Sequence, residues 1–169
     1  MMKRYLSKNA GRSRFVLLST WLALACDEGS DGTSMRASFE LEENECGDGA
    51  LDVSDEMDFD VAVYVSTDEI EWTAEDVNTY LSGVVSGDSF LMTDSKTVDQ
   101  GSGCVVNVTS RYVGNFELVD GSLSDLKGEL TIEYDAADEG ACSGLIGAST
   151  GFRSLPCDVI YSFDLDPDD

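Results

Sequence analysis

The run LKGELTIEYD, residues 126–135, alternates without a break. Leu126, Gly128, Leu130, Ile132 and Tyr134 fall on one side, and Lys127, Glu129, Thr131, Glu133 and Asp135 fall on the other. A period of two is the side-chain repeat of a β-strand, so this segment presents one apolar face and one wet face. The same repeat recurs to either side. Met35, Ala37, Phe39 and Leu41 alternate with Arg36, Ser38, Glu40 and Glu42, and Met57, Phe59, Val61, Val63 and Val65 with Asp58, Asp60, Ala62 and Tyr64. Cys157, Val159, Tyr161, Phe163 and Leu165 repeat it near the end of the chain. Half-buried strands of this kind pair antiparallel.

Residues 104–119 form a long β-branched stretch expected to bend or bulge at Gly114, and residues 89–98 read as a weaker strand. Asp120-Gly121 is a hairpin-turn signal between two such runs. Residues 72–83 read differently. Thr73 suits an N-cap, Glu75 and Asp76 suit the positive end of a helix dipole, and Gly83 suits a stop, so a short helix is expected there, with a further strand pair as the competing reading. The fold class that follows is all-β: an antiparallel sandwich or small closed barrel of roughly six to eight strands with one short helix.

The start of the chain carries other information. Lys3, Arg4, Lys8, Arg12 and Arg14 precede an apolar stretch, residues 15–25, that is too short to span a bilayer, the pattern of a secretory signal peptide. It closes on Leu22-Ala23-Leu24-Ala25-Cys26 and turns acidic at once. That segment resembles the lipobox of bacterial prolipoproteins. The resemblance implies cleavage before Cys26, lipidation of its thiol, and an exported protein held on a membrane of the cell envelope. Which membrane stays open. Residues 1–25 are then leader, residues 26–34 an acidic tether with no apolar residue after Cys26, and residues 35–169 a single β-rich domain.

Charge excludes one class of partner. The chain has 10 basic and 34 acidic residues, a formal charge of −24; loss of the five leader cations and no acidic residue leaves five basic against 34 acidic, or −29. Nucleic-acid affinity is built on Lys and Arg neutralising phosphates, so no nucleic-acid partner is expected. A solvated, self-repelling surface that responds to salt is the simplest reading of the acidity.

The cysteines divide unevenly. With Cys26 assigned to lipid, Cys46, Cys104, Cys142 and Cys157 remain, an even number in an oxidising compartment, and two disulfides are expected. Three pairings are open; loop proximity favours Cys142 with Cys157, around the Gly-rich residues 140–151, and therefore Cys46 with Cys104.

The chain contains no histidine, which removes Ser-His-Asp and Cys-His hydrolysis and His-ligated zinc. No phosphate-binding loop or nucleophile elbow is present. Calcium is the one cofactor with candidate ligands: Asp48, Asp52, Asp55, Asp58 and Asp60 cluster around the second strand, without EF-hand spacing. A second acidic group, Asp164, Asp166, Asp168 and Asp169, reads as a solvated tail. Trp72, Tyr80, Phe90 and Tyr112 are candidates for a binding face or a barrel mouth, although such rings more often fill a core. The function expected is a non-enzymatic, lipid-anchored envelope protein whose β-domain binds a ligand or plays a structural part. A carboxylate-dependent hydrolase of envelope glycans and a calcium-dependent adhesion module are the alternatives.

Overall fold

The computed structural model describes residues 32–47, 53–74, 79–147 and 151–167. The leader, Cys26 and most of the tether lie outside these residues, as do Asp48, Asp52, Asp168 and Asp169. Eight strands follow one another: β1 (Thr33–Asn44), β2 (Glu56–Val65), β3 (Glu69–Ala74), β4 (Thr79–Ser86), β5 (Ser89–Gly101), β6 (Cys104–Val119), β7 (Ser122–Ala136) and β8 (Cys157–Pro167). Each pairs antiparallel with the next, and β1 pairs with β8, so the sheet closes into an up-and-down barrel. A sheet with one apolar face must cover it, and closure does so while removing both edges.

The alternation of the sequence becomes inside and outside. Met35, Ala37, Phe39, Val61, Val63, Ile70, Trp72, Val106, Val108, Leu130, Tyr161 and Phe163 are buried in one core, and no polar or charged residue is buried among the described residues. Outward positions are charged. Arg36 pairs with Asp60 at 2.6 Å and Lys127 with Asp125 at 3.0 Å, while acidic residues stand directly opposite one another at Glu40 and Glu56, Glu117 and Asp125, and Glu133 and Asp158. A polar outside around an apolar inside is the reverse of a membrane-spanning barrel, whose outer band is apolar.

Four expectations need correction. Residues 72–74 and 79–83 are not helical: β3 and β4 form a strand pair in which Trp72 lies opposite Leu81 and Thr73 opposite Tyr80, while Glu75 and Asp76 lie outside the described residues. Trp72 and Leu81 are both buried, and this inward pairing outweighs the local capping signals. The short helix is instead α1 (Glu139–Cys142), capped by Asp138, whose Oδ1 accepts from the Gly140 and Ala141 amides at 2.9 and 3.3 Å. β6 passes through Gly114 without a break in register, and its irregularity falls at Glu117 and Leu118. Gly114 serves a close approach: a Cβ there would collide with the Lys127 carbonyl oxygen and lie 2.8 Å from the Phe90 ring. Finally, β1 begins at Thr33, so the last two residues assigned to the tether belong to the sheet.

The disulfide pairing also differs from the one loop proximity favours. Cys46 bonds Cys157, and Cys104 bonds Cys142. Antiparallel closure explains this: Cys46 follows β1 and Cys157 opens β8, so the bond locks the seam where the sheet closes. The other bond pins α1 to the start of β6. Asp120 and Gly121, at φ 53° and 83°, make the expected tight turn between β6 and β7, the left-handed geometry that matches strand twist.

Candidate functional site

The two ends of the barrel are unlike. At one end lie the first residue of β1, the last of β8 and the short turns β2–β3, β4–β5 and β6–β7; at the other lie both disulfides, α1, the last residue of β1 and the first of β8. The wall is complete at the first end and notched at the second. Among the described residues, β4 pairs with β5 only from Gly83 to Ser86. Residues 79–82 and 93–96 therefore run side by side without a ladder of hydrogen bonds.

Below this notch the barrel is not filled. A cavity of about 250 Å³ lies among Phe39 of β1, Met57, Phe59 and Val61 of β2, Trp72 and Ala74 of β3, Thr79 and Leu81 of β4, Tyr112 of β6, and Leu130 and Ile132 of β7. Six strands contribute, so the space is interior. Met57, Phe59, Thr79, Tyr112 and Ile132 point inward yet remain partly exposed, which marks the cavity as open to solvent at this end.

The floor is aromatic. Phe39 stacks on Phe59 at 5.4 Å, and Trp72 meets Tyr112 and Phe163 edge to face at 5.6 and 5.5 Å. Edge-to-face packing suits the ring quadrupoles and holds the indole in one orientation. The Trp72 Nε1 is buried with no hydrogen-bond partner, one of two such side-chain atoms among the described residues, the other being Gln100 Nε2. Burial pushes the Tyr112 hydroxyl up to about 12, and the negative charge of Asp94 adds to the rise. Of the four aromatic residues singled out from the sequence, Trp72 and Tyr112 line the cavity and Phe90 packs beneath Trp72 at 6.2 Å. Tyr80 points outward and donates to Glu71 Oε1 at 2.5 Å, a bond that raises its pKa.

The three calcium candidates among the described residues, Asp55, Asp58 and Asp60, do not converge. Asp58 accepts from the Ser38 hydroxyl at 2.6 Å and Asp60 pairs with Arg36, both on the outer face of β2, while the Asp55 carbonyl caps the Leu41 amide at 2.9 Å. Among the described residues no three Asp, Glu, Cys or His side chains are grouped to hold a metal ion. A shallow outer groove across β2, β1 and β8 is lined by Glu40, Glu56, Asp58 and Asp164, all four exposed.

Comparison with protein-family models, curated proteins and solved structures gives no match for this chain. The class defined by fold and site is therefore structural: an eight-stranded antiparallel barrel with a polar exterior and one aromatic-lined cavity open at the disulfide-bonded end.

Proposed function

We propose that this protein is a lipid-anchored ligand-binding barrel of the bacterial cell envelope, which holds one small apolar molecule and performs no chemistry on it. The observation that carries the reading is the cavity of about 250 Å³ below the notch. Closed barrels of eight strands are either filled by their own side chains or hold one small ligand, and this one leaves room. At ~30 Å³ per water, the space accepts about eight water-sized groups. Its lining is apolar, with Thr79 and the Tyr112 hydroxyl as polar points, the usual composition of a small-molecule site.

Hydrolysis by a carboxylate pair is less well supported. The cavity lining has no carboxylate, and the four carboxylates of the outer groove stay in solvent, whereas a general acid of this type is kept protonated by burial. The anchor enters the proposal from the lipobox-like segment at Cys26. β1 begins at the barrel end opposite the notch, which supports an anchor at Cys26 on the side away from the cavity mouth.

All eight strands lie within residues 33–167, so a soluble form starting at Asp27 retains the whole closed sheet. Trp72 is the only tryptophan in that form, since the chain has two and the other is Trp21. Titration with 1-octanol is expected to change Trp72 emission saturably, at one molecule per barrel, and to raise the melting temperature by mass action. Filling the space with Ala74→Phe removes the response. A linear, non-saturating change, or one that Ala74→Phe leaves intact, rejects the reading. Cys26→Ser in the full chain tests the anchor separately: fatty-acid labelling and membrane partition are expected to disappear.

A further inference from the structure

The inward row of β5 changes character halfway along. Phe90 and Met92 are buried, but the next residues on the same face, Asp94 and Lys96, are charged and exposed. Register fixes the face: Met92 lies opposite Tyr112, Asp94 opposite Ser110, and Lys96 opposite the buried Val108. A strand in a closed wall does not place charges inward, because they would be desolvated. Here β4 leaves β5 after Gly83 and Met92, and the gap returns these two positions to water. Asp94 thus stands diagonally next to Tyr112, which lines the cavity. The two groups are close enough for the carboxylate to contribute to the raised pKa of the tyrosine hydroxyl.

We propose that the ligand is a small cationic amphiphile, its apolar body lying against Trp72, Phe39 and Phe59 and its positively charged head held at the gap between the Tyr112 ring and the Asp94 carboxylate. The inference rests on the ligand-binding reading above and names the chemistry of that ligand. Three features support a cation over an anion. Aromatic faces attract cations, and Trp72 and Tyr112 are among the rings around the cavity. Asp94 neighbours Tyr112, whereas Lys96 lies two residues further out, so an anionic head would meet the carboxylate before the lysine. The formal charge of −24 concentrates cations at the surface and repels anions on approach.

The test compares three probes with one chain length, octyltrimethylammonium, 1-octanol and octanoate, by Trp72 emission in the soluble form at fixed ionic strength. The cation is expected to bind about tenfold more tightly than octanol, and octanoate more weakly than either. Asp94→Asn is expected to bring the cation close to octanol while leaving octanol unchanged; Asp99→Asn, an exposed carboxylate further along the same strand, keeps the preference. Octanol binding as tightly as the cation, or a preference that survives Asp94→Asn, overturns the cationic assignment and leaves the binding barrel standing. Saturable binding by none of the three overturns both.

Discussion

Removing the bond between Cys46 and Cys157 is expected to be the most damaging covalent change available to this domain. The two residues are 111 apart in sequence, against 38 for Cys104 and Cys142. In the chain-entropy account a cross-link stabilises by restricting the unfolded state, and the effect grows with the logarithm of the loop. It comes to ~5 kcal/mol for the longer loop and ~4 kcal/mol for the shorter. The longer bond also spans the β1–β8 seam, so its loss leaves that closure to the strand ladder from Met35 opposite Pro167 to Asn44 opposite Val159. At roughly 3–4 °C per kcal/mol for a domain of this size, Cys46→Ser with Cys157→Ser should lower the melting temperature by about 15–20 °C. The pair Cys104→Ser with Cys142→Ser should lower it by a few degrees less. Calorimetry of the two double variants, with peptide mapping of the unreduced parent, measures both the order and the pairing. Peptides joining Cys142 to Cys157, or a seam variant that melts with the parent, would refute the argument.

Other consequences follow from single positions. Gly114→Ala drives a methyl into the Lys127 carbonyl oxygen and the Phe90 ring and should cost about 1–3 kcal/mol or more, read as a lower denaturation midpoint with an unchanged slope. Tyr112 has a folded pKa of about 12 against an ordinary 10, so its contribution is fully present below pH 10 and is lost as pH rises through 12. Alkaline unfolding should therefore take on the order of 3 kcal/mol of stability between these values. Tyr112→Phe should flatten that slope, leaving a remainder from Tyr80 and Tyr161, whose pKa values are also raised. Glu56→Lys converts the opposed pair with Glu40 into an attractive one and should stabilise by about 0.2–1 kcal/mol at low salt, a gain that shrinks as sodium chloride screens it. An equal gain at high and low salt would contradict that cause.

What could be read in the sequence was whatever depends on two neighbours along one strand. Leu130 and Ile132 face in while Glu129 and Thr131 face out because a strand turns successive side chains to opposite sides, and that rule needs no partner. Closure depends instead on β1 finding β8, with Met35 opposite Pro167, and no local pattern encodes a pairing across the whole domain. The disulfides follow the closure, which is why loop proximity chose the wrong partners for Cys157. At residues 72–83 the strand signal was present: Ile70, Trp72 and Ala74 alternate with Glu71 and Thr73, and the capping residues masked it. The candidate site lies between these cases. The aromatic residues were visible as a set, but only the pairing of strands separates Tyr80, outside, from Trp72, inside. Asp94 carried a signal of its own, an apolar row of two residues, Phe90 and Met92, that continues as Asp94 and Lys96. Within a period-two strand such a change of polarity on one face means that the wall beside it ends. In this barrel the ladder between β4 and β5 ends at Gly83 and Met92, so the departure from alternation at Asp94 falls where that pairing stops.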